Sequence, residues 1–212
     1  QGSLTVSLGY PDPDNIPQTL ATIMMGIINE EEFPKEYAML HHEEDVDIVP
    51  ANMELSGLEV SLSNAMSREM ILKEYIDSVR DEYSYILIDC MPSLGMMTIN
   101  ALVAADSVII PCEPSFLSVK GLDLLLRSIA KIKRQINPSL QIDGVLMTMV
   151  DSRTINAREI TSALREAVGL NINVFNTEIP RSVRATECPN VGKSIFGHDP
   201  DGKVAMAYKE LS

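Results

Sequence analysis

The stretch Tyr85-Ile86-Leu87-Ile88-Asp89-Cys90-Met91-Pro92 constrains the fold of this chain more than any other. A short apolar run bounded by turn signals and closed by a carboxylate has the pattern of a parallel-sheet strand covered on both faces. Such a strand puts Asp89 at its carboxyl end, the edge of an open α/β sheet where ligands bind. A plainer role stays open, because aspartate is a common helix cap and Asp89 can simply start the next helix.

Taken in order, residues 1–9 read as a loop running into a short helix stopped by Gly9. Pro17 at a first helical position opens a helix with Leu20, Ile23, Met24, Ile27 and Ile28 on one buried face. An acidic loop follows over 30–35. His41-His42-Glu43-Glu44-Asp45 reads as a solvated surface run, since adjacent side chains in a loop rarely converge on one metal ion. Residues 46–50 read as a strand ended by Pro50, and Ser67 as the cap of a helix reaching about Tyr83. Beyond the 85–92 run, the pattern predicts a helix over 93–105, a strand over 107–111 and a long helix over 119–136. Leu122, Leu125, Leu126, Ile129 and Ile132 face inward on that helix. A strand over 142–150 ending in Asp151, a helix over 156–168, a short strand over 174–179, a loop over 180–202 and a last helix to Leu211 complete the chain. Alternating strands and helices predict an α/β fold: three layers, a mostly parallel sheet with helices on both faces.

At 212 residues the chain is long enough for one sizeable domain. Its hydrophobic content of 45% is that of a globular protein, and no apolar run reaches the length of a membrane span, so a soluble protein is expected. The three cysteines, Cys90, Cys112 and Cys188, lie far apart and fit a reducing cytoplasm. A net charge of −13 argues against a surface that grips nucleic acid everywhere; any DNA contact must be local. The chain begins with Gln rather than Met, so residue 1 reads as a boundary left by processing or truncation.

Asp89 and Asp151, each at a strand end, suit a phosphate and magnesium site, because a hard cation takes carboxylate or water-mediated oxygen ligands. Such a site also needs a phosphate cradle. The lookalike Glu187-Cys188-Pro189-Asn190-Val191-Gly192-Lys193-Ser194 fails: Glu187 stands where the first glycine belongs, Pro189 interrupts it and no strand precedes it. His41, His42 and His198 lie away from the strand ends, which disfavours an unrelated enzyme built on a catalytic dyad.

Four ordered blocks carry a resemblance. Gln1-Gly2-Ser3-Leu4-Thr5, residues 85–94 with Thr98-Ile99-Asn100-Ala101-Leu102, residues 148–154, and residues 179–189 with the tail from Gly192 resemble the ParA/Soj family of chromosome and plasmid partition ATPases. These are P-loop NTPases of the deviant Walker type. The resemblance implies that Asp89 holds the nucleotide's magnesium through water and that Cys90, Met91, Pro92 and Ser93 belong to the switch that senses the γ-phosphate. It implies that Asp151, Pro180 and Arg181 lie near the adenine of ATP, and that Arg153 and Arg184 touch DNA without sequence preference. Met91 departs from the family's usual proline, and the family's first strand, its Lys-Gly-Gly-x-Gly-Lys-Thr-Thr loop, the helix after it and the next strand, roughly 40 residues in such a βαβ unit, are absent.

The expectation is therefore a single ParA-like domain over residues 1–212, N-terminally truncated, from a cytoplasmic, nucleoid-associated ATPase. In the complete protein ATP and Mg drive homodimerisation and nonspecific DNA binding, a ParB-like protein stimulates hydrolysis, and no membrane is involved. The chain alone is expected to bind nucleotide weakly or not at all, and an altered oligomer that covers exposed sheet edges is expected. The alternative is a naturally P-loop-less module that binds DNA or a partner without turnover.

Overall fold

The computed structural model describes residues 2–91, 93, 95–169 and 172–212. The expectations placed on Gln1, Pro92 and Leu94 lie outside the described residues. The chain divides into two compact units, Gln1–Ala105 with Pro189–Lys193, and Asp106–Cys188 with Ser194–Ser212.

The first unit contains helices α1 (Ser3–Ser7), α2 (Leu20–Ile28), α3 (Glu54–Leu62), α4 (Ile71–Val79) and α5 (Met96–Ala104), with short strands β1 (Leu40–His42) and β2 (Val46–Ile48). Helix α2 starts after Pro17, because Thr19 takes the extended cap conformation and its N–H donates to Thr22 Oγ1 at 2.9 Å. Strands β1 and β2 pair antiparallel, and Asp45 turns the chain in the left-handed region at φ 61. His42 is thus a buried strand residue rather than part of a solvated run, and its Nε2 lies 2.9 Å from the Gly192 carbonyl oxygen. Gly192 has φ +63, and a Cβ there would stand 2.6 Å from Gly9 Cα, so a side chain is excluded on both grounds.

Helices α2 to α5 share a core of Met24, Leu58, Leu62, Ile71, Leu72, Met97, Ala101 and Ala104. Helix α3 was not anticipated: its apolar residues show little periodicity, and Met53 before it supplies no side-chain cap. Ser67 does not cap α4 either; it sits at φ 48, and the helix starts at Ile71. Asn100, fully buried, ties α4 to α5. Its Nδ2 donates to the Arg68 and Met96 carbonyls at 2.9 and 3.0 Å, and its Oδ1 accepts from the Leu72 N–H at 3.1 Å.

The run expected as the central strand does not pair. Tyr85 to Asp89 form no backbone-to-backbone hydrogen bond among the described residues, and Tyr85 and Leu87 are 88% and 91% exposed. Ile88 reaches inward and packs against the α2–α5 core. An apolar run becomes a buried strand only when neighbours bond both edges and cover both faces, and no described segment does so here.

The second unit is the parallel sheet. Strand β3 (Ser107–Cys112) leads through α6 (Phe116–Gln135) to β4 (Gln141–Met147), with Ser107 opposite Gln141 and Cys112 opposite Met147. Helix α7 (Ile155–Val168) returns the chain to the far edge of β4, where Val145 bridges Val174 and Val150 bridges Pro180, both parallel. The expected third strand is therefore present in two pieces, with residues 176–178 leaving the ladder. Gly144 admits this neighbour, since a Cβ there would approach the Asn173 carbonyl oxygen to 2.9 Å.

Val145, Leu146 and Met147 are all buried, so both faces of β4 are covered. One face is closed by Val204 and Ala207 of α10 (Lys203–Leu211), packed with Leu146 and Ile179. The predicted 180–202 loop is instead largely helical: α8 (Val183–Val191) runs up to the left-handed Gly192, and α9 (Ile195–His198) follows. Among the described residues no helix is long and apolar enough to cross a membrane.

Replacing Asn100 with leucine removes three hydrogen bonds and strands the Leu72 N–H. The expected loss is about 3 kcal/mol at about 1 kcal/mol per bond, read as a lower urea midpoint. A loss below about 1 kcal/mol, less than one bond's worth, would overturn the assignment.

Candidate functional site

All strands of the second unit are parallel, so their carboxyl ends meet at one edge. There β3 delivers Glu113, β4 delivers Val150 and Asp151, and the third strand delivers Pro180 and Arg181. The Arg181 N–H donates to the Val150 carbonyl at 3.1 Å, and its Nη2 donates to Glu113 Oε1 at 2.7 Å. Between Met147 and Val150 the chain passes through Met149 at φ 53, a left-handed conformation that costs a non-glycine residue on the order of 1 kcal/mol. The sheet edge thus gathers Asp151, Pro180 and Arg181, the three residues expected around an adenine.

Asp151 is engaged there. Its Oδ1 accepts from the Arg153 N–H at 3.2 Å and from Arg153 Nε at 2.9 Å, and its Oδ2 accepts from Nη2 at 2.9 Å. These Arg153 hydrogen bonds hold the Asp151 carboxyl down at about 2. The Asp151 carbonyl accepts from Thr154 Oγ1, and Thr154 caps α7 by accepting from the Ala157 N–H at 3.3 Å. Two functions expected of neighbouring residues therefore meet in one ion pair.

Arg184 lies in the first turn of α8 and its Nη1 donates to Glu187 Oε2 at 3.1 Å; the same oxygen lies 3.2 Å from His198 Nε2. The imidazole, followed by Arg184, lowers the Glu187 carboxyl below its usual range. Both expected DNA arginines are exposed, Arg153 at 88% and Arg184 at 64% of the side chain, and both carry a carboxylate partner.

Asp89 and the switch residues belong to the first unit. Asp89 and Cys90 are exposed. Met91 packs against the α2–α5 core, and its carbonyl accepts from the Ser93 N–H at 2.8 Å. The Ser93 carbonyl accepts from Thr98 Oγ1 at 2.6 Å, tying the turn to α5; Pro92 lies outside the described residues.

A phosphate cradle is a different matter. Lys193 pairs with Glu43 at 3.4 Å, and Ser194 Oγ accepts from the Phe196 and Gly197 N–H groups as the cap of α9. In the Gly-Lys-Ser lookalike the lysine thus pairs with a carboxylate and the hydroxyl serves as a helix cap. A cavity of about 220 Å³ beside α7 is lined by Ser152, Arg158, Thr161, Arg165 and Glu178, none of them anticipated. Sequence reasoning also passed over Glu113, although it follows β3 directly, as Asp151 follows its own strand.

A parallel sheet with carboxylate and arginine at its carboxyl edge has the architecture of the P-loop NTPases, and solved structures agree. The cobyrinic acid a,c-diamide synthase of Mycobacterium smegmatis, crystallised with an ATP analogue and magnesium, aligns at TM-score 0.84 and 31% identity over 99% of this chain and 76% of that one. A family model described as an AAA domain matches residues 1–142. The sporulation initiation inhibitor protein Soj of Bacillus subtilis is 36% identical over all of this chain and 81% of its own length. The chromosome partitioning protein ParA of Myxococcus xanthus is 38% identical over all of this chain and 72% of its own. The chain belongs to the ParA/Soj family. Such relatives are spanned over 62–81% of their lengths, and an uncharacterised Mycobacterium tuberculosis protein over 65%.

Asp151 titrates below an ordinary carboxyl, so its pair with Arg153 is complete above about pH 4 and is lost as the pH falls through about 2. Carbon-13 NMR of the Asp151 carboxyl should show a midpoint near 2, returning toward about 3.9 in Arg153→Ala. An unchanged midpoint in the variant would remove Arg153 as the cause.

Proposed function

We propose that these residues are the greater part of a ParA-type ATPase of DNA segregation, a single domain whose phosphate-binding segment is not among them. The observation that carries this reading is the gathering of Asp151, Pro180 and Arg181 at the carboxyl edge of the parallel sheet, in a chain similar along its whole length to Soj and ParA. In the complete protein these three residues would flank the adenine of ATP. Asp89 would hold magnesium through water, and residues 90–93 would respond to the γ-phosphate. Bound nucleotide would supply the driving force for homodimerisation and its hydrolysis the release, stimulated by a ParB-like partner. Arg153 and Arg184 would contact DNA phosphates in the cytoplasm, on the nucleoid, without reading sequence.

The exposed Tyr85 and Leu87 fit this reading, because an apolar run with open edges is what a sheet lacking a neighbouring strand presents. The absence of a cradle among the described residues favours a second reading, a P-loop-less module that binds DNA or a partner without turnover. The coding DNA directly before the Gln1 codon separates them: an in-frame strand and Lys-Gly-Gly-x-Gly-Lys-Thr loop supports the first, and a start or stop codon there supports the second.

The 212-residue chain should bind magnesium ATP weakly or not at all by calorimetry; a micromolar dissociation constant would show that a cradle exists within it. In the complete protein, combined Arg153→Ala and Arg184→Ala should weaken retention on mixed-sequence DNA at low salt. Unchanged retention would take both arginines out of the DNA site.

A further inference from the structure

We propose that Asp151 and Glu187 are positioning residues that hold Arg153 and Arg184 in neutral pairs and thereby set how strongly the second unit grips DNA. The proposal rests on the DNA reading of these two arginines. Each pair is local in sequence, two residues apart for Asp151 and Arg153 and three for Glu187 and Arg184, so it forms wherever its own turn forms. The Arg153 pair is a fork on a carboxylate, with Nε and Nη2 each 2.9 Å from a different oxygen.

A guanidinium held this way still has N–H groups to offer a phosphate, but the pair has no net charge. Affinity for the DNA backbone comes from cations that replace condensed counterions, and a neutral pair replaces none. Freeing each arginine therefore adds one effective charge to the interface. Arg181 is paired in the same manner with Glu113 at 2.7 Å, so the guanidinium groups delivered by the sheet edge and by α8 share one pattern. The two holds differ in strength. Asp151 gives both oxygens to Arg153 alone, whereas Glu187 shares Oε2 between Arg184 and His198.

The test is a double-mutant cycle on the complete protein held with a saturating magnesium ATP analogue, read by fluorescence anisotropy with a short mixed-sequence DNA duplex across a salt series. Asp151→Asn keeps the side-chain shape and should tighten binding roughly threefold to tenfold at low salt, steepening the log K against log salt slope by about 0.9. In the Arg153→Ala background the same substitution should change binding less than about twofold. Glu187→Gln, tested against Arg184→Ala, should give a smaller gain of the same kind. Neither substitution touches the core, and equal thermal midpoints would confirm that the variants fold.

An equal gain from Asp151→Asn with and without Arg153 would mean that removing a nearby negative charge explains it, and would overturn the proposal. No gain, with Arg153→Ala still weakening binding, would overturn the proposal and leave the DNA reading standing. No effect from either arginine variant would overturn both.

Discussion

The second unit depends on one arrangement, the hydrogen bonding of β4 along both edges. Its backbone is bonded to β3 on one side and to Asn173, Phe175 and Ile179 on the other, and the side chains of its carboxyl-terminal half are buried above and below. A strand in that position has no freedom of register, because a slip of one residue would turn Leu146 away from the α10 cluster. The carboxyl-edge residues inherit this rigidity. Asp151 follows Val150, which is pinned by Ile179 and Arg181 backbone bonds at 3.0 and 3.1 Å, so the carboxylate and the Arg181 guanidinium are placed by the sheet itself. Parallel strands joined by helices present all their carboxyl ends together, and that alone brings Glu113, Asp151 and Arg181 to one edge from distant parts of the sequence.

The first unit is held differently. Its core is helix against helix, and the polar tie is Asn100, which satisfies the carbonyl of Arg68 and the N–H of Leu72 just ahead of and within α4. Nothing in that core requires residues 85–89 to be paired, and only Ile88 contributes to it. The unit therefore keeps its packing while Tyr85 and Leu87 face solvent. Exposed apolar side chains on an unbonded backbone are costly in water and prone to pairing with other chains, so this stretch is the part of the fold most in need of a neighbour.

Strands β3 and β4, helices α6 and α7 and the buried face of α2 were legible because hydrophobic period and capping residues agree there. Ser115 and Thr154 cap where the periodic residues begin, and Leu122, Ile129 and Ile132 are buried as their spacing requires. The 85–89 run has the composition of a strand, but pairing is a relation to other segments and cannot be read from the run. Helix α3 was illegible because the exposed Val60 interrupts the pattern of Leu55, Leu58 and Leu62, which pack into the core, and no side chain caps its start. In the candidate site, the grouping of Asp151, Pro180 and Arg181 followed from strand-end positions and family resemblance. The pairing of Arg153 with Asp151 did not, because it is set by the turn after Val150 and by side-chain rotamers.

That pairing bears on how an acidic chain can meet DNA at all. With 30 acidic and 17 basic residues, most guanidinium groups will find a carboxylate within reach, and a chain of net charge −13 repels a polyanion at long range. What matters is the cost of exchanging partners. Buried pairs are hard to break because removing one member strands a charge in low dielectric. Exposed pairs such as Arg153–Asp151 and Arg184–Glu187 are weak, since water screens both members. A phosphate arriving at either arginine leaves behind a carboxylate that water solvates readily. Exposed pairing therefore suits the proposed role: the arginines add little net charge to a free surface and can still be recruited by a backbone presenting several phosphates at once. Placing the same arginines in buried pairs would have closed that route.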